Sequence, residues 1–497
     1  MAGRLTKGAW DNTMLVGQTA INFGANVFSA AFGLLNVVIF TRLFAPAEFG
    51  TYVLGVGFAS VISIFLTSWL RLPILREQSR GDGTDMRGIV LPGFLLSCLA
   101  APLAYLAARM VNLPHDAALA ATGLALTLGF FETGQELLRA RLAAFTLMKA
   151  TMVRAVLVPA LGIAFTAVGA TGVLLLISSA LAYLVTALLF TRHTWRGMQW
   201  RFDGSRLGTL AKAGLPLTLS LTLLAISSVI DRFIVAHLVG PALAGQYAVG
   251  VDLVRQTLII PALSASSAFV PLAVQILANR GREAVRAHLD ECFELLLAIT
   301  LPACFGFAIV SSHIADAILG PEFRELARSV MPIVSIAVVF QILTYQYLHT
   351  SFLLSNRNAF YLINTGSVIA FNAIVSYLLI IRLGALGAAW GRLAAEIFGF
   401  VSALVLTRLA FPVPLPLRRV GGVFAAAVAM ALVIRALDAM LATSDRNALA
   451  VLIPSGVATY LAMCWLLDVA QARARAGRYL GAARNALAQV GKRLLRS

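Results

Sequence analysis

Charge is scarce in this chain and acidic charge scarcer still: 12% of its 497 residues are charged, with 22 Asp and Glu against 39 Lys and Arg. Too little polar surface remains to coat a water-soluble fold, because 60% of the residues are hydrophobic and the mean hydropathy is +0.86. The four cysteines, Cys98, Cys292, Cys304 and Cys464, lack metal-site spacing and read as small core residues. The six histidines are scattered, and no H-E-x-x-H, G-x-S-x-G or G-x-x-x-x-G-K-S/T pattern occurs. These absences point away from metallohydrolases, serine hydrolases and ATP-binding cassettes, and no cofactor is expected. Energy for any transport has to come from elsewhere.

What the chain does have is apolar runs of helical length. A helix of about 20 apolar residues crosses a hydrocarbon core about 30 Å thick. Fourteen such runs recur: 18–41, 51–70, 88–109, 117–138, 147–168, 171–191, 213–238, 246–275, 293–312, 329–353, 359–381, 385–407, 420–440 and 447–467. The expected fold is all-α, a polytopic integral membrane protein. Arg4 and Lys7 precede the first run as in a signal peptide, but the apolar region continues to Phe44, too long for a cleaved segment.

Positive charge orients the spans. With the amino terminus in the cytoplasm, 28 Lys and Arg fall in inside segments and 7 outside. The positive-inside rule then places both termini in the cytoplasm. The net charge of +17 follows mainly from this topology, and nucleic acid is not needed as a partner.

The chain also writes one turn twice. "FAPAEFGTYVLGVG" at 44–57 and "VGPALAGQYAVGVD" at 239–252 align at an offset of 195, where seven of the seventeen pairs from 41/236 to 57/252 are identical. Among them are Pro46/Pro241, Gly50/Gly245 and Tyr52/Tyr247. A second echo, at an offset of 215, matches "GATG" at 169–172 with "GALG" at 384–387. Both turns follow a helix running outward, so the copies share one orientation. Two parallel six-helix repeats are expected, in lobes 1–208 and 209–410, followed by two additional C-terminal helices in 411–497. Gly50 and Gly245 are read as permitting the tight turn, and Tyr52 and Tyr247 as interfacial anchors.

The stretch "FTRLFAPAEFGTYVLGVGFASVISIFLTSWLRLPILRE" at 40–77 resembles the opening of the Wzx-like polysaccharide flippases of the multidrug/oligosaccharidyl-lipid/polysaccharide exporter superfamily. "GLPLTLSLTLLAISSVIDRFIVAHLVGPALAGQYAVGVDLV" at 214–254 is similar to that family's seventh and eighth helices. The resemblance implies alternating access in the inner (cytoplasmic) membrane. It also implies an isoprenoid-pyrophosphate-linked oligosaccharide as substrate, membrane lipids as surroundings, and a polysaccharide polymerase or export machinery as further partner.

Four basic residues lie deeper within spans, Arg154, Arg232, Arg255 and Arg392, and each needs a partner or a wet cavity. A guanidinium suits a pyrophosphate because its forked donors match phosphate oxygens. Structural pairing competes with that reading. Asp252 and Arg255 are three apart and Arg392 and Glu396 four apart, so each pair shares a helix face. Asp231, beside Arg232, points elsewhere and can serve another helix. Arg154 has no carboxylate on its own helix, and Glu132 and Glu136 are its candidate structural partners. Asn22 and Asn26, four apart in the first span, either face a ligand or hydrogen-bond between helices.

Two rival functions remain. A cation-coupled multidrug antiporter of the same superfamily is expected to carry a carboxylate early in the first lobe, and spans one and two contain none. An integral-membrane polymerase or ligase needs a sizeable outer loop, and the largest expected here is 313–328. The basic tail, with Leu480, Leu487, Val490 and Leu494 at helical spacing, reads either as a surface helix on anionic lipid or as a solvated end.

Overall fold

The computed structural model describes residues 24, 28–74, 86–141, 143–195, 198, 202–441, 445–471 and 473. Among these the chain is helical, with no strand. The first half carries α1 (Phe28–Leu43), α2 (Pro46–Arg71), α3 (Arg87–Cys98), α4 (Ala101–Met110), α5 (His115–Ala140), α6 (Ala144–Phe165) and α7 (Gly172–Trp195). The second carries α8 (Gly204–Val239), α9 (Pro241–Ile318), α10 (Pro321–Ile342), a π-helix (Leu343–Leu348), α11 (His349–Leu354), α12 (Asn358–Leu383) and α13 (Ala385–Leu409). Two more helices follow, α14 (Leu417–Met440) and α15 (Asp445–Leu466). Prolines open α2, α9 and α10. There the missing N–H costs nothing, because the first helical N–H groups have no intrahelical acceptor.

Among the described residues eleven helices are long and apolar enough to cross a membrane, and α3 with α4, bent by 42° at a short break, count as a twelfth if the pair is one span. The first expected span falls on the shorter apolar α1, and the eighth and ninth both fall on α9, on either side of its break at Gly281. Many large apolar side chains point outward, Leu99 and Leu461 among them, as lipid-facing positions should.

The boundaries differ from expectation in three places. α9 runs through the expected connection between 275 and 293 and breaks only at Gly281, whose φ of 79° is a conformation glycine adopts without steric cost. α8 starts nine residues before the apolar run, because the Asp203 side chain caps Arg206 N at 3.1 Å and Leu207 and Leu210 are buried against Leu70, Ile89 and Leu137. At 36 residues it is about 54 Å long, well beyond a hydrocarbon core. The segment 313–328, read as the largest outer loop, is helical except at Leu319 and Gly320.

The chain packs as two units. The first comprises 1–250, 318–327 and 365–391; the second comprises 251–317, 328–364 and 392–497. Within the first unit the two copies of the repeated turn meet. A Cβ on Gly50 would overlap the Pro241 carbonyl, and a Cβ on Gly245 would lie 2.7 Å from Pro46 O and 2.8 Å from Gly50 N. Proline 46 corresponds to 241 and glycine 50 to 245, so the contact is reciprocal, as a two-fold relation between copies requires. Each copy makes a further contact beside it. Arg42 donates to Ile318 O at 2.6 Å, and its repeat counterpart His237 accepts from Asn112 Nδ2 at 3.0 Å through Nδ1. The glycines therefore serve the approach of one turn to the other rather than the turn itself.

In the second unit, the segment before α14 is tied down. Ser351 Oγ donates to Phe411 O at 2.6 Å and accepts from Phe411 N at 3.1 Å, while Tyr347 donates to Pro414 O at 2.5 Å. The two additional helices dock on the second arm of α9: His313 Nε2 meets Asp438 Oδ1 at 2.7 Å on α14, and Tyr460 of α15 donates to Ala298 O at 2.7 Å.

Candidate functional site

Five helices of the first unit enclose a cavity of about 270 Å³. On α1, Ser29, Gly33 and Asn36 recur at i, i+4 and i+7 and so share a face. On α2, Tyr52, Val56 and Ser60, at i, i+4 and i+8, likewise share a face. Ser179 and Tyr183 reach in from α7 and Arg154 from α6, while Leu124 and Leu128 of α5 provide an apolar side.

Among the described residues of this lining Arg154 is the only charged one. Its guanidinium donates to Tyr183 Oη at 3.0 Å and to Ser29 Oγ at 2.7 Å, and it lies 5.4 Å from the centroid of the Tyr183 ring. Cation–π attraction and two neutral acceptors hold the group in place without cancelling its charge. The expected carboxylate partners are engaged elsewhere: Glu132 pairs with Arg71, and Glu136 with Arg139 at 2.7 Å. Asn36 Oδ1 is buried with no hydrogen-bond partner. Among the described residues the lining offers one fixed cation, a ring of hydroxyls and no carboxylate, a chemistry that suits an anionic, hydroxyl-bearing ligand. The volume falls below the ~300–1,000 Å³ of sites that engulf a whole ligand. It suits a head group or a single sugar ring.

The remaining expected site residues are dispersed. Asp231 and Arg232 are buried on α8, and Asp231 Oδ2 accepts from Tyr247 of α9 at 2.6 Å, so this carboxylate does serve a neighbouring helix. Asp252 and Arg255 lie one turn apart on α9, both half-buried. Arg392, 1% exposed, and Glu396, 3% exposed, lie one turn apart on α13. Asn22 and Asn26 lie outside the described residues, as does nearly all of the basic tail. Neither repeated tyrosine is an interfacial anchor. Tyr52 lines the cavity, 3.4 Å from Ser179 Oγ, and Tyr247 is fully buried on Asp231. Buried Tyr hydroxyls take a polar partner, and here those partners lie inside the fold.

Sequence reasoning missed Ser29, Asn36, Ser179 and Tyr183. The signal for the first two was present: Asn22, Asn26, Ser29, Gly33 and Asn36 recur at a helical period through an otherwise apolar run.

A family profile described as "Polysaccharide biosynthesis protein" matches residues 39–328, and the chain belongs to that family. Among solved structures it is similar to lipid II flippase MurJ in an inward closed conformation, at 15% identity and a TM-score of 0.75, over 90% of this chain and 99% of that one. It is also similar to an inward-facing multidrug resistance MATE family transporter of the MOP superfamily, at 18% identity and a TM-score of 0.56, over 79% of this chain and 95% of that one. A Vibrio cholerae MATE transporter matches at 17% identity and a TM-score of 0.55, over 80% and 96%. These likenesses show the fold. No curated protein matches the chain in sequence.

Proposed function

We propose that the protein moves an isoprenoid-pyrophosphate-linked oligosaccharide from the cytoplasmic to the outer leaflet of the inner membrane, by alternating access between lobes 1–208 and 209–410. It acts as a carrier and makes or breaks no covalent bond. The observation that carries this reading is the Arg154 cavity, whose described lining is cationic, rich in hydroxyls and without a carboxylate, in a member of the polysaccharide biosynthesis family. A guanidinium that keeps its charge in such a site favours phosphate or an acidic sugar and repels the cationic drugs of an antiporter. The reciprocal contact of the repeated turns supports a state closed at the end that the positive-inside rule assigns to the outside. Both termini are cytoplasmic in this reading, and a polymerase or export assembly takes over the product outside.

Deleting the gene tests it. Lipid-linked oligosaccharide should accumulate on the cytoplasmic leaflet and surface polysaccharide should fall. Normal surface polysaccharide with altered drug susceptibility would overturn the reading in favour of the antiporter.

A further inference from the structure

We propose that the imidazole of His349, held by Asn364 beside the π-helix of the second unit, is a proton-binding site that takes its proton at Nδ1. The hydrogen bonds fix the tautomer. Asn364 Nδ2 donates to Gly399 O at 3.1 Å and to Ser402 Oγ at 2.6 Å, which turns Asn364 Oδ1 toward the histidine. The 2.8 Å contact between His349 and that oxygen therefore has Nε2–H as donor, and Nδ1 carries the free lone pair. The residue is 6% exposed and Nδ1 is buried with no hydrogen-bond partner. The rings of Tyr361, Tyr345 and Phe352 surround it at 4.7, 4.9 and 5.2 Å between centroids.

A histidine kept only to bond Asn364 has no use for a second nitrogen, and a buried acceptor without a donor is destabilising. The backbone beside the ring is also unusual. Leu343–Leu348 is a π-helix, a feature concentrated at functional sites. Positions 341 and 349 would stand about 80° apart on a regular α-helix, and the wider π turns rotate them toward one face. Along that run Gln341 Oε1 and Thr344 Oγ1 are likewise buried without a partner. They are acceptors of the kind that an Nδ1–H would need once the ring is an imidazolium.

The titratable groups recorded against the ring are the phenols of Tyr345, on its own helical run, and Tyr361, on α12. Asn364 of α12, with Gly399 and Ser402 of α13 behind it, is uncharged. Among the described residues no carboxylate or cation is recorded in contact with the imidazole. A proton taken up at Nδ1 thus appears as a full unit of charge in the second unit, and its value for driving transport rests on the function proposed above.

The test uses full-length protein with ¹⁵N-labelled histidine in lipid nanodiscs. The His349 resonances are assigned by their loss in His349→Gln, whose amide can still donate to Asn364. Should that variant not accumulate, Asn364→Leu supplies the assignment, because losing the amide partner moves the His349 signals. The expected result is an Nε2–H tautomer with a bare Nδ1 at pH 8, converting to imidazolium on acidification while circular dichroism still reports the full helical content. An Nδ1–H tautomer at pH 8, or a ring that stays neutral over the whole range in which the fold persists, would overturn the proposal. No substrate enters the measurement, so its failure is separate from any failure of the flipping function.

Discussion

The Arg154 guanidinium donates to the Tyr183 hydroxyl at 3.0 Å while lying 5.4 Å from the centroid of the same ring. One aromatic side chain thereby orients the cation and leaves its charge available to a ligand. Arg154→Ala should abolish transport at near-normal membrane abundance, because no carboxylate is left unpaired by the change. Hydrogen bonds to charged groups contribute about 1.5–3 kcal/mol, so the loss of affinity should be about ten- to hundredfold. Arg154→Lys should retain part of the activity, since charge survives while the forked geometry is lost. Quantifying surface polysaccharide against protein level in complemented deletion cells checks this. Full activity of Arg154→Ala would remove the cavity from the mechanism.

The seam between the repeated turns predicts a shift of conformation. Gly50→Val places a side chain against the Pro241 carbonyl, and Gly245→Val places one against Pro46 and Gly50. Overpacking of this kind costs about 1–3 kcal/mol and, in the proposed orientation, falls only on the closed outer end. Each 1.4 kcal/mol is tenfold in a two-state equilibrium, so either variant should raise outside accessibility by about ten- to hundredfold. The rate at which an impermeant thiol reagent modifies Ser60→Cys, on the cavity lining, reports it. Unchanged labelling would mean that the seam does not close the outer end.

The spans were legible because hydropathy at helical length is a local signal: among the described residues eleven helices, or twelve with the bent α3–α4 pair, are long and apolar enough to cross a membrane. Two features were illegible for physical reasons. The first eight residues of α8, Gly204–Ala211, are amphipathic rather than apolar, so a hydropathy reading stops short of them although Leu207 and Leu210 anchor that turn. The partners of Arg154 lie 29 and 125 residues away in sequence, beyond what spacing along one helix can reveal. Tyr52 and Tyr247 were placed at the membrane surface from their nearness to a turn, whereas burial of the turn itself carries both inside. The repeated turn was legible from identities at an offset of 195. Its meaning, two glycines that let the copies touch, needed coordinates.

Arg392 and Glu396 predict a stability effect. Both are almost fully buried one turn apart, so Glu396→Gln alone should leave a charge in the interior and cost about 3–5 kcal/mol. Membrane abundance of that variant should fall steeply, and the double variant Arg392→Met with Glu396→Gln should recover it. If the double variant also recovers transport, Arg392 is a structural residue. Normal abundance without transport would instead place Arg392 in the substrate path.

Topology is tested at two described positions in a background in which the four native cysteines are replaced. Ser205→Cys, at the start of α8, should be protected from an impermeant thiol reagent in intact cells, and Glu322→Cys, at the start of α10, should be labelled. The reverse pattern would invert the orientation derived from positive charge.

The central claim is movement of a lipid-linked sugar between leaflets, and reconstitution measures it most directly. Purified full-length protein is placed in liposomes carrying a fluorescent isoprenoid-pyrophosphate-linked oligosaccharide, and a membrane-impermeant quencher reports how much reaches the other leaflet. Vesicles with the wild-type protein should lose fluorescence beyond the half that is exposed at the start, and vesicles with Arg154→Ala should stop near that half. Equal quenching in the two, or none beyond the exposed half with the wild type under an imposed proton gradient of either direction, would contradict the account.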